Sequence, residues 1–360
     1  MSNDPRLSQI QKLQMALQLL GEHTELRQEL IQWIKTIEPC LNYTGSIRED
    51  ITGPIVDALH TENDVYRKTL LDGTVFEFLF RTKIARDFLL AKPEHPSHVW
   101  EPQTTRLLHY LADCKPSGDI LVGGAYFGDH AISLGVMLRN SVCKVHCFEP
   151  NLLQAKMLEK NIVLNHLENQ LVVNTSGLWE SSSKKLKLTG FDSFANAVEA
   201  ADEEQGFQTV SIDDYVAGCA SKLSVLMLDI EGAEYSALRG AESTLKTDRP
   251  QIVFEVHRDY VDWSDGILNT EIGQYLINLQ YQLYAIRDFN THEEMGSRCI
   301  ELIPVESIML VGPSHGFNML AITDPKLIEN PLFRIVKNVS PKLLRHKSAA
   351  LHHPSDGLPD

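Results

Sequence analysis

Residues 121–130 read LVGGAYFGDH, and this short stretch decides the fold. It continues an apolar run that is typical of a buried strand, and the apolar residues 131–134 that follow it are typical of a helix. Its three glycines predict a tight strand-to-helix turn, because glycine permits backbone conformations and close approaches that a Cβ atom prevents. Such a turn indicates a backbone that lies close to a cofactor.

Strand and helix patterns alternate from residue 103 onward. The predicted strands are short apolar runs at 119–124, 144–150, 170–176, 221–230, 250–256, 281–286 and 317–322. Apolar residues at helical spacing are found at 104–114, 129–139, 151–165, 233–245 and 271–280. This alternation predicts an α/β fold with a mostly parallel sheet, helices on both faces and an antiparallel edge. Ligands of such sheets bind beyond the carboxyl ends of the strands, where the strand order reverses.

The chain divides into three parts. Residues 1–97 predict a mainly helical N-terminal region that acts as a cap or as the contact of a homodimer, with helices at 52–60 and 63–71. Residues 98–337 form the α/β domain, and prolines mark its beginning. Residues 338–360 are expected to be a flexible tail.

Composition limits the possible partners and the compartment. The 360 residues carry a formal net charge of -15, which argues against a general affinity for nucleic acid or for an anionic membrane surface. No run approaches the roughly 20 apolar residues of a membrane helix, and the N-terminus does not resemble a signal peptide. The six cysteines form no CxxC pair, which favours a reducing, cytoplasmic setting.

A carboxylate follows the second predicted strand of the domain. Glu149-Pro150 lies where a doubly wound fold bonds the hydroxyl groups of a cofactor ribose. The glycines at 123, 124 and 128 fit neither the GxGxxG dinucleotide pattern nor the GxxxxGK[ST] phosphate loop. Asp129 would repel a pyrophosphate but can accept a hydrogen bond from an amino-acid ammonium group. These features favour a cofactor with a methionine-like end.

Further acids follow the next two strands. Asp229 closes an apolar run, and Glu231 comes two residues later. Glu255 and His257 stand two apart near the end of the following strand, and hence on one face. Carboxylates at such a position can orient a hydroxyl group, accept its proton or bind a divalent cation, and a histidine is a natural general base. We expect His257 or Asp229 to be the base, whereas Glu234, inside the next helix, is expected to be structural.

Several segments together resemble the FkbM family of S-adenosyl-L-methionine (SAM)-dependent methyltransferases. The matching pieces are GGAYFGD (123–129), VHCFEPNLLQAKMLEKNIVLN (145–165), TVSIDDYV (209–216), LMLDIEGAEYSALRGAESTL (226–245) and PQIVFEVH (250–257). The resemblance implies a Rossmann-like class I methyltransferase fold for 98–337 and, usually, O-methylation of a hydroxyl group on a sugar or secondary metabolite. The family writes its first loop as D-V-G-A-N-I-G. Because Val122 stands where that acid would be, Asp129, Glu101 or a main-chain carbonyl must accept the bond from the ammonium group.

The predicted site therefore has two parts. The cofactor-binding residues are expected to be Gly123, Gly124, Ala125, Gly128, Asp129, Glu149, Pro150, Gly177, Leu178 and Asp229. The catalytic residues are expected to be Asp229, His257, Glu255 and Glu231. The cofactor is expected to be SAM, with the glycine amides against its carboxylate, and a divalent cation is possible. The acceptor is a small molecule or a glycan, bound by loops at 181–206 and 258–270, of which the first is polar and typical of a surface excursion.

Two other functions stay open at this point. A dinucleotide-dependent oxidoreductase would also bring a ribose to Glu149, although the glycine loop does not fit its fingerprint. A non-catalytic protein that keeps the methyltransferase fold would be consistent with the loss of the acid at Val122.

Overall fold

The computed structural model describes residues 5–114, 118–189, 196–199, 206–219, 221–310 and 316–343. The helices are α1 Pro5–Glu22, α2 Thr24–Ile37, α3 Gly53–Ala58, α4 Lys83–Leu89, α5 Pro102–Asp113, α6 Ala131–Met137, α7 Leu152–Leu164, α8 Ile212–Val216, α9 Glu234–Arg239, α10 Glu242–Thr247 and α11 Glu271–Asn278. The strands are β1 Val65–Thr69, β2 Val75–Leu79, β3 Asp119–Gly123, β4 Val145–Phe148, β5 Leu171–Asn174, β6 Gly177–Leu178, β7 Lys185–Thr189, β8 Asn196–Glu199, β9 Phe207–Val210, β10 Leu223–Leu228, β11 Gln251–Val256, β12 Gln282–Ile286, β13 Ile300–Pro304, β14 Phe317–Ile322 and β15 Phe333–Ile335.

A nine-stranded sheet carries the domain, in the order β5-β4-β3-β10-β11-β14-β12-β13-β15. Strands β3, β4, β5, β10 and β11 are parallel, whereas β14 runs antiparallel to both of its neighbours, β11 and β12. The chain winds outward from β3 to β5, then returns to β10 on the other side of β3. This reversal and the antiparallel strand between β11 and β12 confirm the Rossmann-like class I methyltransferase fold.

The alternation of side chains along β3 produces a core on each face of the sheet. Leu121 and Val122 are both buried, and they belong to separate hydrophobic clusters because neighbouring strand residues point to opposite faces. The reversal of strand order lies between β3 and β10. Gly123 of β3 is paired with Leu228 of β10, so both strands end at the same edge of the sheet.

The N-terminal region contains a β-hairpin, and this overturns one expectation. The helix predicted at 63–71 is strand β1, which pairs antiparallel with β2. Asn161 of α7 and Asn165, which follows the last residue of that helix, bind the outer edge of β2 through the backbone of Glu77 and Val75. The hairpin therefore packs directly on the α/β domain, as an extension of its core.

The expectation of a flexible tail from residue 338 is wrong for 338–343. Ser340, Lys342 and Leu343 are buried, and bridges join Asp288 to Lys342 and Ile308 to Val339. Long-range backbone pairing, which local composition does not reveal, orders these residues. The rest of the predicted tail lies outside the described residues.

A small second sheet, in the order β6-β9-β7-β8, stands beside the carboxyl end of the main sheet. It includes part of the segment 181–206 that we expected to be a surface excursion. The expectation is wrong for Leu186 of β7, which is fully buried. In the part of the chain that the structure describes, no helix combines the length and the apolar character needed to span a membrane.

Candidate active site

A cavity of about 270 Å³ opens at the point where the strand order reverses. Residues that follow β3, β4 and β10 line it, together with Glu255 of β11. The small sheet forms part of its wall through Gly177, Leu178, Leu186 and Phe207. The cavity therefore lies where open α/β sheets bind their ligands.

The glycine loop bends away from β3 through three residues with positive φ. These are Gly124 at +75°, Tyr126 at +46° and Gly128 at +96°. A Cβ atom on Gly124 would lie 1.7 Å from the carbonyl oxygen of Asp229, so only glycine allows this approach. A Cβ atom on Gly128 would instead meet Ile132 and Leu158 in the core. Gly124 thus shapes the cavity, whereas Gly128 serves packing beneath it.

The loop amides are bonded within the protein. The N–H groups of Gly124 and Ala125 both donate to the carbonyl oxygen of Phe148 at 3.0 Å, and that of Gly128 donates to Ala125 at 2.8 Å. The expectation that glycine amides face a cofactor carboxylate is therefore wrong for Gly124 and Gly128. These bonds instead tie the loop to the end of β4.

Glu149 is buried at the tip of β4 and faces the cavity. Its Oε2 accepts a hydrogen bond from the N–H of Tyr126 at 2.9 Å, and its Oε1 accepts one from the N–H of Asn151 at 2.8 Å. Asn151 in turn caps α7 by accepting a bond from the N–H of Leu153. The two backbone bonds fix the orientation of the carboxylate.

Two more acids line the cavity beneath the glycine loop. Glu101 has a left-handed backbone conformation just before α5, and its Oε2 accepts a bond from Asn318 Nδ2 at 2.5 Å. His130 Nε2 lies 3.8 Å from Glu101 and 3.9 Å from Asp129. Burial opposes the charged imidazole, but the two acids raise the pKa of His130. Val122, at the position of the missing family acid, is packed in the core.

The three acids Asp229, Glu231 and Glu255 also line the cavity and meet in one cluster. One oxygen from each lies within 4.8 Å of the others. Burial raises the pKa of Asp229 and of Glu255 well above its ordinary value, and the charge of Glu231 raises both further. Burial and the charge of Glu234 raise the pKa of Glu231 to about 7. Close negative charges away from water disfavour the ionised forms and would be relieved by a cation.

Glu234 shapes the turn that presents these acids. Its carboxylate accepts bonds from the N–H groups of Ile230 at 2.8 Å and Gly232 at 3.0 Å. The turn holds Glu231 at a positive φ of 52°, with the hydroxyl group of Tyr260 hydrogen-bonded to its carboxylate. Glu234 therefore holds the backbone of the turn, as expected for a structural residue.

Residues 123–285 match the family model of the methyltransferase FkbM domain. This part of the chain is an FkbM methyltransferase domain. The matched segment begins at the end of β3 and ends in β12, so it contains Asp129, Glu149 and the cluster of Asp229, Glu231 and Glu255.

Solved methyltransferase structures are similar to the chain at low identity. A methyltransferase FkbM from Methylobacillus flagellatus is 14% identical with a TM-score of 0.36, over 59% of this chain and 47% of that one. A precorrin-6y C5,15-methyltransferase from Geobacter metallireducens is 10% identical with a TM-score of 0.34, over 62% and 88%. A SAM-dependent O-methyltransferase from Thermotoga maritima is 12% identical with a TM-score of 0.34, over 73% and 94%.

The chain spans about half the length of the Methylobacillus structure. No curated protein matches its sequence. The strand order of the main sheet, rather than any of these similarities, establishes the fold of the FkbM domain.

Most of the predicted site residues line the cavity of the FkbM domain. Those that do are Gly124, Asp129, Glu149, Pro150, Gly177, Leu178, Asp229, Glu231 and Glu255. Gly123, Ala125, Gly128 and His257 are not among its lining residues. Instead, Nδ1 of His257 accepts a hydrogen bond from the N–H of Asp259 at 3.2 Å, which leaves its proton on the other ring nitrogen.

Sequence reasoning missed several residues of the site. Lys83 and Ile84 reach the cavity from the N-terminal region, and Asn290 reaches it from the loop after β12. Lys342, from the supposed tail, is buried and donates a hydrogen bond to Asn290. Burial lowers the pKa of Lys342, while the charges of Glu101 and Glu255 oppose that effect. None of these residues belongs to a local motif, because folding alone brings them to the site.

Proposed function

We propose that the FkbM domain binds SAM in this cavity and transfers its methyl group to a hydroxyl group of a sugar or secondary metabolite. One observation carries the proposal. An acid-lined cavity lies where the strand order of the main sheet reverses, and Glu149, at the carboxyl end of β4, is part of its lining. Glu101, Asp129, Asp229, Glu231 and Glu255 are the other carboxylates that line it. Such a lining suits a ligand with a sulfonium and an ammonium group, whereas the pyrophosphate of a dinucleotide would be repelled.

The residues present fit SAM in three respects. Glu149 stands where a ribose is bonded in this class of fold. Glu101 and Asp129 offer carboxylates for the ammonium group, in place of the family's acid at the position of Val122. The apolar side chains of Leu178 and Phe207 offer a surface for an adenine ring. When bound, SAM supplies a methyl group on a positively charged sulfur.

Glu231 is the residue that we assign to proton acceptance. It lines the cavity, its pKa of about 7 allows it to be ionised near neutral pH, and Tyr260 steadies its carboxylate. Glu231 would accept the proton that the acceptor hydroxyl group loses when its oxygen is methylated. Asp229 and Glu255, which line the cavity beside Glu231, orient the acceptor through hydrogen bonds. His257 is less suited because it does not line the cavity.

A divalent cation is the second candidate for the acid cluster. The carboxylate oxygens of Asp229, Glu231 and Glu255 lie within 4.8 Å of one another, and Mg²⁺ prefers oxygen ligands. Adding Mg²⁺ to chelator-treated protein separates the two assignments. Proton acceptance by Glu231 alone predicts an unchanged rate of methyl transfer, whereas a rate that requires Mg²⁺ and is lost in Glu255→Gln would assign the cation.

The reaction itself is tested with labelled SAM and matched pairs of sugar acceptors. In each pair, one member carries a hydroxyl group and the other an amino group at the same carbon. The proposal predicts label on the hydroxyl member and loss of transfer in Glu231→Gln. Transfer to the amine alone would contradict O-methylation but not SAM binding.

We also propose that α1 and α2 form a homodimer contact. Leu13 is 62% exposed and Trp33 is 58% exposed, although both are large apolar residues. A second copy of the chain would cover them. Light scattering should report a dimer for the wild type and a monomer for Leu13→Glu; a monomeric wild type would contradict the proposal.

A further inference from the structure

A second group of ligand-type side chains lies outside the cavity. His98 precedes α5, and His292 and Glu294 lie in the loop between β12 and β13. The two imidazole rings are stacked, with centroids 4.6 Å apart and planes 14° apart. Oε1 of Glu294 lies 3.9 Å from His98 Nδ1 and 3.6 Å from His292 Nε2.

Three buried ring nitrogens of this group have no hydrogen-bond partner among the described residues. They are Nε2 of His98 and both Nδ1 and Nε2 of His292. The two histidines are only 5% and 7% exposed. Leaving a buried polar atom without a partner costs about 1–3 kcal/mol, and burial keeps the rings neutral with a lone pair available. Nδ1 of His98, the ring nitrogen that lies 3.9 Å from Glu294, also has Ser97 Oγ at 3.0 Å, so Nε2 of His292 is the unpartnered nitrogen that faces Glu294.

We propose that His98, His292 and Glu294 bind one Zn²⁺ ion. Neutral imidazole nitrogen and carboxylate oxygen are ligands that zinc prefers, with bonds of about 2.0–2.2 Å in tetrahedral geometry. Such bonds place neighbouring ligand atoms about 3.3 Å apart. The observed separations from Glu294 are 3.6 and 3.9 Å, and the ligand atoms of the three residues all lie within 4.8 Å of one another. Because the two rings are stacked, one imidazole has to rotate before the lone pairs of both point at the ion.

The neighbours of Glu294 support the assignment. Ser97 donates two hydrogen bonds to the Glu294 carboxylate: its backbone N–H donates to Oε1 at 2.8 Å and its hydroxyl group to Oε2 at 2.7 Å. Hydrogen bonds of this kind, from residues that do not touch the ion, orient carboxylate ligands in metal sites. The side chain of Glu294 is 31% exposed, which allows a water molecule to reach the fourth coordination position.

The ion would join two segments that wall the cavity. The N–H of Glu101 donates to the carbonyl oxygen of Thr291 at 3.2 Å, which already links the segment of His98 to the loop of His292. Glu101 and Asn290 both line the cavity. An ion at this place would hold the wall from outside and would not touch the reacting groups.

The test is titration of the full-length, chelator-treated chain with ZnCl₂, with bound metal counted by mass spectrometry. We expect one Zn²⁺ per chain in the wild type, no binding in His292→Gln, and affinity weaker by more than about 100-fold in Glu294→Gln. Ser97→Ala, which removes an outer hydroxyl, should lose about 10–100-fold.

Two controls locate the ion. His95→Gln removes an exposed histidine of the same segment, and Glu231→Gln removes an acid of the other cluster; both should keep wild-type affinity for zinc. If His292→Gln fails to fold, the more exposed Glu294→Gln carries the test. No stoichiometric binding by the folded wild type, or unchanged affinity in Glu294→Gln, would overturn the proposal.

Discussion

Oε2 of Glu149 accepts a hydrogen bond from the backbone N–H of Tyr126 at 2.9 Å. This bond joins the tip of β4 to the glycine loop, so the acid assigned to the ribose and the loop that bends around the cofactor form one unit. The residues of the unit come from neighbouring parallel strands, whose carboxyl ends meet at one edge of the sheet.

Glu149→Gln should weaken SAM binding at least about tenfold, which corresponds to about 1.4 kcal/mol. Both carboxylate oxygens of Glu149 accept a backbone N–H group, so the NH₂ group of glutamine would face one of these donors and lose that hydrogen bond. The substitution also removes the negative charge that faces the ribose. Calorimetric titration measures the loss. Glu159→Gln, an exposed acid on α7, is the matched control and should bind like the wild type. Equal affinities in the two variants would remove Glu149 from the cofactor site.

Gly124→Ala should reduce SAM affinity, whereas Gly73→Ala should not. Both glycines have a positive φ, of 75° and 90°, so alanine strains the backbone at either position. Only at Gly124 would the new Cβ atom collide with the carbonyl oxygen of Asp229, because nothing lies within 4 Å of a Cβ atom on Gly73. Binding and thermal unfolding of both variants separate cofactor loss from general strain. Normal SAM binding by Gly124→Ala would show that the loop is not part of the cofactor cradle.

The rate of methyl transfer should rise with pH through about 7, the pKa of Glu231. The carboxylate accepts the proton only when it is ionised, so the rate should fall at lower pH, and the pH–rate profile of Glu231→Gln should not show this fall.

The free energy of unfolding should change with pH in the opposite direction to the rate. Because burial raises the pKa in the folded protein, the folded state holds the proton more tightly, and stability declines as pH rises from the ordinary value of 4.5 to about 7.

Glu231→Gln should therefore unfold at a higher denaturant concentration than the wild type above about pH 7. Denaturant unfolding at both ends of this pH range measures the difference. A wild-type rate that is independent of pH over the range would contradict proton acceptance by Glu231.

Asn161→Ala and Asn165→Ala should both destabilise the fold, by about 1–4 kcal/mol each, because each removes several buried hydrogen bonds. Only Asn161 also donates to the carbonyl oxygen of Phe127 in the glycine loop, at 2.9 Å. We therefore expect Asn161→Ala alone to weaken SAM binding. Denaturant unfolding and SAM titration of the two variants give the comparison. An equal loss of affinity in both would attribute the effect to the hairpin rather than to the loop.

The sheet could be predicted from the sequence because its signals are local. Apolar runs followed by helical spacing mark β3, β4, β10 and β11, and the acids of the site come directly after them or near their ends. The parallel arrangement then brings Asp229 and Glu255 together without further information.

Strand β1 was missed because residues 63–71 also fit a helical spacing. Pairing of Thr69 with Val75 across the turn at Asp72 and Gly73 overrides that local preference. The Asp-Gly pair is a hairpin signal that could have identified the strand. Lys342 offered no such signal, because its burial depends on a bridge to Asp288, more than fifty residues earlier in the chain.

Calorimetric titration of the wild-type chain with SAM, S-adenosylhomocysteine and NAD tests the central claim most directly. The acid-lined cavity predicts saturable binding of SAM and of S-adenosylhomocysteine at one site per chain, with no heat from NAD. Binding of NAD in preference to SAM, or binding of none of the three by the folded protein, would contradict the assignment of this cavity as a SAM site.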